Sequence, residues 1–237
     1  MKVAVLLLLA AVLAGCSSPP PYYTITQTLP SNATLKIRSA GSVEAYKPAI
    51  GQATTLLTLQ PSGSAVSIPS AAATLAPHGI AYAYDAPDYA TSLLARVPNG
   101  VALDVTSTDG SVNVTDITGP TIAYGEHGTV NVMVPGYAQA SSGIGNVTVY
   151  MGATTWPGIL RFGSRQGDVE VWINATAHFN VRMHTDRGTV FTDFGLTGTS
   201  KGESETIVGT VGGKAAQGID IEVSDGSIRL LQLKPQV

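Results

Sequence analysis

The sequence of 237 residues predicts an all-β protein, namely a single-domain β-solenoid with short strands, similar in plan to a parallel β-helix. Three observations predict this class. From Thr34 onward the chain is rich in Thr, Val, Ile and Gly, and apolar residues alternate with polar ones over short runs, as strands require. Almost no stretch has helical spacing. A short unit that begins with glycine recurs along the chain, which indicates stacked coils.

The amino terminus has the three parts of a secretory signal. Lys2 supplies a positive start, residues 3–13 form an apolar run, and small residues follow. The apolar run is about half as long as the roughly 20 residues that a membrane-spanning helix needs. We therefore expect residues 1–15 to be removed as a lipoprotein signal peptide.

The run Leu13, Ala14, Gly15 and Cys16 contains the only cysteine of the chain and resembles the lipobox of bacterial lipoproteins. The resemblance implies cleavage before Cys16, attachment of diacylglycerol to its sulfur and acylation of the new amino terminus. Several acyl chains hold a protein on a bilayer far better than one chain does. We expect a lipid-anchored protein of the cell envelope, and Ser17, where some bacteria read an aspartate as an inner-membrane mark, slightly favours the outer membrane. The alternative is an ordinary signal peptide with a chance cysteine.

The mature chain is weakly acidic. Loss of residues 1–15 removes one basic residue, Lys2, and leaves 12 Lys and Arg against 16 Asp and Glu, a net charge of −4. A chain without a basic run lacks the positive surface that binds phosphate backbones, so we expect no nucleic-acid partner. Without a second cysteine no disulfide can form within the chain, and stability must come from packing and backbone pairing.

We divide the mature chain into a spacer and one domain. Residues 16–32 begin with the lipidated cysteine and contain three consecutive prolines, which favour extended geometry and do not enter the middle of a sheet. Residues 33–237 are long enough to bury a full core and form the β-solenoid domain. Within them, the alanine-rich residues 70–76 are expected to form at most one turn of helix, since Pro69 and Pro77 flank them.

The repeated unit is a glycine, usually one further residue, and then alternating apolar and polar positions. It starts at Gly41, Gly110, Gly128, Gly145, Gly167, Gly188, Gly218 and Gly226. Glycine at a corner lets the backbone turn with positive φ, and the alternation behind it gives each coil one dry face and one wet face. Gly145, Gly167 and Gly188 are 22 and 21 residues apart, which fits two strands per coil. Stacked coils would then bury their apolar faces against one another.

A β-sandwich of hairpins is the alternative architecture. The pairs Asp109-Gly110 and Asp225-Gly226 are hairpin signals as well as coil corners. We favour the solenoid because the glycine precedes the strands at recurring intervals.

Two runs, LLARVPNGVALDVTSTDGSVNV at residues 93–114 and GIDIEVSDGSIRLLQL at residues 218–233, resemble the putative-adhesin β-solenoid family, the domain of unknown function 4097. In that family a strand ending in Val-Pro leads into strands separated by Gly-(Asp/Ser)-(Ile/Val) steps, and a similar step closes the domain. The resemblance covers roughly residues 33–233, and residues 62–88 depart from it by being richer in Pro and Ala. The family has no established catalytic residues, so the resemblance assigns none to this chain.

Three aspartates, Asp109, Asp186 and Asp225, each lie beside a glycine step. Stacked coils could bring them into a column, and a row of carboxylates could bind a cation or flank a glycosidic bond. The simpler interpretation, which we favour, is that aspartate before glycine forms turns by bonding the local backbone.

Tryptophan supplies the other candidates for a binding surface. Trp172 alternates with Val171 and Ile173, so it faces solvent if those two residues pack inside. Trp156 is a second candidate, although aromatic residues also fill cores and cap ends. We expect Trp172 to be the best single binding residue.

No motif predicts a catalytic site, a metal site or a cofactor. His178 and His184 are six residues apart, or roughly 20 Å along a strand, which is too far for a shared metal. The leading hypothesis is therefore an envelope protein for adhesion, scaffolding or partner binding, with another envelope protein or a glycan as its partner. The sequence does not indicate an oligomeric state.

Two other functions stay open. An envelope signalling partner would have the same sequence features. A polysaccharide-active β-helix enzyme would need acidic and basic residues in one groove, and its candidates are Arg161, Arg165, Arg182 and Arg187 beside Asp168 and Asp186.

Overall fold

The computed structural model describes residues 25–49, 56–62, 70–76, 79–86 and 92–233. The predicted signal peptide, Cys16 and the proline run lie outside these residues. Within them the chain forms 21 strands and no helix. The strands are β1 (Ile25–Thr28), β2 (Thr34–Ser39), β3 (Val43–Tyr46), β4 (Leu56–Ser62), β5 (Ser70–Ala76), β6 (Gly79–Ala86), β7 (Ser92–Arg96), β8 (Ala102–Asp109), β9 (Val112–Thr115), β10 (Thr121–His127), β11 (Val130–Val134), β12 (Ala138–Ile144), β13 (Val147–Met151), β14 (Ile159–Gln166), β15 (Val169–Asn174), β16 (Phe179–Arg187), β17 (Val190–Thr192), β18 (Thr199–Lys201), β19 (Ser204–Val211), β20 (Gly218–Asp225) and β21 (Ile228–Leu233).

The strands form two sheets, and each coil contributes one strand to each. Sheet A has the order β1-β4-β7-β3-β9-β11-β13-β15-β21-β17, and sheet B has the order β18-β19-β16-β20-β14-β12-β10-β8-β2-β6-β5. Neighbours pair in parallel throughout the stack, and antiparallel pairs occur only at its two ends among the described strands. Parallel neighbours cannot be hairpins. The solenoid prediction is confirmed, and the hairpin sandwich is wrong.

The core lies between the two sheets. The inward positions of sheet A are in register from coil to coil, so that apolar side chains stack on their equivalents; the first inward column contains Val43, Val112, Val130, Val147, Val169 and Ile228. All six are fully buried. Burial of one such side chain stabilises a fold by about 1.5–3 kcal/mol relative to exposure. The alternation read from the sequence therefore builds the core directly.

Seven of the eight glycines that begin the repeated units lie in a column at one edge of the solenoid; the prediction for the eighth, Gly218, is wrong, because it starts β20 at the opposite edge. Gly128, Gly145, Gly167, Gly188 and Gly226 have φ between 139° and 153°, a conformation that side-chain-bearing residues rarely adopt. A Cβ on any of them would also collide with the carbonyl of the glycine in the neighbouring coil. Glycine is thus required twice, by its own backbone and by its neighbour.

At several corners the residue after the glycine carries a side-chain oxygen that bonds the next coil. The Ser227 N–H donates to Asp168 Oδ1 at 2.7 Å, and the Asp168 N–H donates to Asn146 Oδ1 at 2.9 Å. At an earlier corner the Ser111 N–H donates to Ser42 Oγ at 3.2 Å. These bonds explain why Ser42, Asn146 and Asp168 are polar.

Buried hydroxyl groups support the same corners from inside. Ser142 Oγ donates to the Gly128 carbonyl at 3.0 Å, and Ser164 Oγ donates to the Gly145 carbonyl at 2.9 Å. Ser107 and Thr185 make equivalent bonds to corner glycines in their own parts of the stack. Each of these four hydroxyl groups is paired, as most buried polar groups are.

The coils do not follow chain order at either end of the stack. The coil β20–β21 lies between β14–β15 and β16–β17, and the coil β2–β3 lies between β6–β7 and β8–β9. Gly167 therefore contacts Gly226, although Gly188 is the next corner glycine in the sequence. Gly167 and Gly188, 21 residues apart, therefore do not lie in neighbouring coils. The chain leaves the position between them empty, and the coil β20–β21 fills it later.

Antiparallel strands cover both ends of the stack. At one end β19 pairs with β16, and Glu205 Oε2 accepts the Val190 N–H at 2.8 Å. At the other end β5 pairs with β6 over seven residues. Residues 70–76 form a strand and not the single helical turn that their alanine content allowed, because pairing with β6 overrides the weak strand preference of alanine. Strand β1 pairs with β4, so the folded region reaches back into the predicted spacer at residues 16–32.

Candidate binding surface and cleft

Trp172 lies on β15 and points to the outer face of sheet A. Its neighbours Val171 and Ile173 are fully buried, as the alternation predicts, whereas Trp172 is half-buried. Its indole Nε1 donates to Glu170 Oε1 at 2.7 Å, and its ring stacks on Tyr150 with centroids 5.6 Å apart and planes 11° apart. The side chain is thus held in place by contacts on its own face of the sheet.

The Tyr150–Trp172 pair belongs to a row that crosses four neighbouring strands of sheet A. The register aligns Met133, Tyr150, Trp172 and Leu231. Because the two rings are nearly parallel, each covers one face of the other. Met133, 52% exposed, ends the row. The row offers a narrow apolar stripe on the outer face of sheet A.

Trp156 lies in the core and not on the surface. It is 6% exposed, its Nε1 donates to the Gly218 carbonyl at 3.0 Å, and its ring centroid is 5.7 Å from that of Phe179. Phe194 packs edge-on against Phe179 from the other side, at 5.4 Å. Trp156 is therefore a core residue, as the sequence also allowed, and not an exposed surface residue; the small exposed part of it lines the cleft described below.

The three candidate aspartates do not form a column. Asp109 and Asp225 occupy the same register position of sheet B, but β10, β12 and β14 separate them, which places them roughly 19 Å apart. Asp225 pairs with Arg187 at 3.0 Å, and this hydrogen bond and charge raise the pKa of Arg187. Asp186 is offset by one residue and contacts His184 Nε2 at 3.2 Å. Their carboxylates do not converge on one ligand.

A cleft lies at the edge of the solenoid opposite the glycine column, where three loops enter β14, β16 and β20. Gln217 joins these loops. Its Nε2 donates to the Thr154 carbonyl at 2.9 Å and to the His178 carbonyl at 2.8 Å, and its Oε1 accepts the Trp156 N–H at 2.9 Å. All the polar atoms of this side chain are used to hold the loops together.

Two adjoining pockets make up the cleft. The loop pocket, about 540 Å³, is lined mainly by Thr154, Thr155, Trp156, Pro157, Thr176 and His178. The sheet pocket, about 480 Å³, is lined mainly by Ile159, Asn180, Arg182, Val208, Thr210 and Asp220. Ala216 and Gln217 line both. Volumes of this size are typical of sites for small ligands.

Charges in the sheet pocket are paired. Arg182 Nη1 donates to Asp220 Oδ1 at 3.0 Å. Asn180 is fixed on both sides, because its Nδ2 donates to the Ala215 carbonyl at 3.0 Å and its Oδ1 accepts the Thr210 hydroxyl at 2.9 Å. The pocket therefore combines apolar walls with polar groups whose positions are set before any ligand enters.

The acidic and basic residues proposed for a polysaccharide-active enzyme do not meet in this cleft. Among its described lining residues only Arg182 belongs to that set. Asp168 accepts a backbone N–H at a coil corner, and Asp186 contacts His184. Asp220 is the one carboxylate in the lining, whereas glycoside hydrolysis in most families uses two at a defined separation.

His184 lies between a hydroxyl and a carboxylate, the order found in hydrolytic triads. Its Nδ1 is 2.8 Å from Thr206 Oγ1, and its Nε2 is 3.2 Å from Asp186 Oδ1. These groups stand on a sheet face where β16 is paired on both sides, so its ladder N–H groups are not available to stabilise an oxyanion. No group of three or more metal-binding side chains occurs in the described part of the chain. The arrangement ties the cap strand β19 to β16.

The sequence did not single out Gln217, Asn180, Thr210 or Asp220. Gln217 has a weak local signal, because it immediately precedes the glycine step at Gly218. Asp220 alternates with buried residues of β20 and can be read as outward-facing, but its contact with Arg182 depends on the inserted coil.

Comparisons with known proteins agree with this architecture. The family model described as Toastrack DUF4097 matches residues 100–231, more than half of the chain. The solved structure of a putative cell adhesion protein from Clostridium sporogenes is 11% identical, with 90% of this chain and 100% of that chain covered and a TM-score of 0.51. A putative adhesin from Bacteroides fragilis is 12% identical, with 89% and 97% covered and a TM-score of 0.40. No curated protein matches the sequence.

Proposed function

The chain belongs to the Toastrack DUF4097 family, and we propose that it is a lipid-anchored protein of the cell envelope that binds a partner without catalysing a reaction. The proposal comprises adhesion, scaffolding and partner capture, which share one requirement, a rigid surface held at the membrane. The name of the Clostridium sporogenes protein supports this choice.

One observation carries the binding part of the proposal. The cleft is preformed, since Gln217 fixes its three loops, yet its described lining holds a single carboxylate, Asp220, that is already paired with Arg182. Such a site has the shape to hold a ligand and lacks the second carboxyl of a glycosidase. The signalling alternative uses the same surface and differs only in the partner.

The anchoring part rests on the lipobox-like run that ends at Cys16. No helix long and apolar enough to cross a bilayer occurs among the described residues. We propose attachment through acyl chains on Cys16, with the outer membrane as the favoured site in cells that have one.

Replacement of Cys16 tests the anchor. We expect Cys16→Ser to move the protein from the membrane fraction to the soluble fraction with its β-structure unchanged. Ser17→Ala is the matched control and leaves the protein in the membrane. Retention of the Cys16→Ser protein would overturn the anchoring proposal.

Crosslinking in intact cells tests the binding part. We expect the anchored protein to capture a defined envelope component that an unfolded control does not capture, and the identity of that component separates adhesion from signalling. Turnover of polysaccharides by the purified protein, seen as new reducing ends or unsaturated products, would overturn the non-enzymatic assignment.

A further inference from the structure

We propose that the cleft binds a neutral glycan chain, with the loop pocket and the sheet pocket as adjacent subsites. This inference rests on the proposed binding function and names the chemical class of its ligand. It follows from the polar groups, the backbone pairing, the charge balance and the apolar walls of the cleft.

The polar groups of the cleft suit sugar hydroxyls. The side chains of Thr154 and Thr155 form no hydrogen bond within the described residues, so each hydroxyl can donate and accept. Thr176 donates to Asn174 Oδ1 and Thr210 donates to Asn180 Oδ1, so both present lone pairs as acceptors. A sugar hydroxyl also donates and accepts, and it can pair with every one of these groups.

The backbone around the sheet pocket favours a glycan over an extended peptide. The floor of the sheet pocket is formed by β14, β20 and β16, which are paired on both sides. A peptide that recognises a sheet adds as a new strand at an open edge, and this floor offers none. The wall strand β19 pairs with β18 only over residues 204–206, so a peptide could add only along the rest of β19, beside the pocket and not across its floor. Recognition on the floor must therefore come from side chains, as in the binding of sugars.

The charge balance favours a neutral ligand. The two charged side chains in the lining, Arg182 and Asp220, neutralise each other at 3.0 Å. A strongly anionic chain would have to compete with Asp220 for the guanidinium group. A neutral ligand can accept hydrogen bonds from Arg182 and leave the ion pair intact.

Apolar walls match the C–H faces of a pyranose ring. Ile159 is 55% exposed and Val208 is 68% exposed, and they flank the sheet pocket on two of its strands. Gly218 lies between Ile159 of β14 and Asn180 of β16 in the register of sheet B. Because glycine has no side chain, the floor of the sheet pocket is open at this point. Ordering of the loops by Gln217 before binding reduces the entropy that the complex must lose.

Titration of the full-length protein with tetrasaccharides tests this assignment. The probes are cellotetraose and tetra-N-acetylchitotetraose, with an oligogalacturonate of the same length as the acidic comparison. We expect one of the neutral probes to bind, and to bind more tightly than its own monosaccharide because the chain reaches both pockets.

Matched variants locate the binding. We expect Ile159→Asp and Val208→Asp to weaken binding at least tenfold, because each places a charge where a sugar face would pack. The control is Ile144→Asp, because Ile144 is also exposed, at 44%, but lies far from the cleft. Ile144 is in register with Gln166, which is seven residues, or roughly 23 Å, along β14 from Ile159. Thermal unfolding of all three variants shows whether they keep the fold.

Three outcomes overturn the inference: neither neutral probe binds, only the oligogalacturonate binds, or the three folded variants lose affinity equally. Capture of an envelope component in the crosslinking experiment is independent of these titrations. A protein partner captured there, with no glycan bound in vitro, would leave the proposed binding function intact and remove only the glycan.

Discussion

Substitution of one corner glycine tests the close approach of neighbouring coils. In Gly145→Ala the new Cβ would lie 2.5 Å from the Gly128 carbonyl carbon and 3.1 Å from Ser142 Oγ, in a backbone with φ of 147°. The backbone conformation costs a non-glycine residue about 1–3 kcal/mol, and overpacking against fixed neighbours costs about 1–3 kcal/mol more. We expect a loss of about 4 kcal/mol in the free energy of unfolding.

Gly202→Ala is the matched control. Gly202 also has positive φ, 65°, but no atom lies within 4 Å of the Cβ position. Only the left-handed backbone then opposes the substitution, at about 1–2 kcal/mol. The difference between the two variants reports the contact between coils together with the smaller difference in backbone cost between φ of 147° and φ of 65°.

Thermal unfolding followed by circular dichroism measures both variants. For a protein of this size 1 kcal/mol shifts Tm by about 2–4 °C, so Gly145→Ala should lower it by roughly 8–16 °C and Gly202→Ala by less than half as much. Equal losses would refute the reasoning, because positive φ alone would then account for both glycines.

Three further predictions concern single buried or capping groups. Ser142→Ala should lower the free energy of unfolding by about 1–3 kcal/mol, because the Gly128 carbonyl loses its hydroxyl donor, while the outward Ser141→Ala should change it by less than 0.5 kcal/mol, as urea unfolding would show. Burial raises the pKa of Tyr84, so above about pH 10 the unfolded chain loses a proton that the folded chain keeps, and stability falls. Tyr84→Phe should reduce this fall, measured as the urea midpoint between about pH 9 and 11. An unchanged dependence of the midpoint on pH would contradict this prediction. Glu205→Ala should lower the free energy of unfolding by about 1–3 kcal/mol in thermal unfolding, because the Val190 N–H loses its acceptor. Glu205→Gln keeps an acceptor oxygen and should lower it by less than half as much. Equal losses would argue against the hydrogen bond.

Much of this fold could be predicted from local patterns in the sequence. Val169, Val171 and Ile173 are buried because a strand alternates its side chains, and the same alternation places Trp172 outside. The corner glycines were recognisable because positive φ and close backbone approach both exclude a Cβ. These features depend on neighbours in the sequence or on an identical unit one coil away.

The order of the coils and the cleft depend on contacts that no local pattern specifies. The step at Gly226 has the same form as the step at Gly188, and nothing in either says which will contact Gly167. Gln217 lies 63 residues from Thr154, and their contact arises only once the inserted coil is in place. The burial of Trp156 could not be predicted for a related reason, since it depends on packing against Phe179, which lies on β16.

The inserted coils have a consequence for how the chain can fold. A repeat protein whose units follow chain order can nucleate anywhere and grow by adding neighbours. Here β14–β15 has no partner on one side until residues 218–233, the last described part of the chain, have been made and placed. The pairs that close the stack join distant parts of the sequence, which slows folding and couples the cap to the central coils. We therefore expect one cooperative transition instead of fraying coil by coil, and loss of residues 218–233 would detach β16–β19 from the stack.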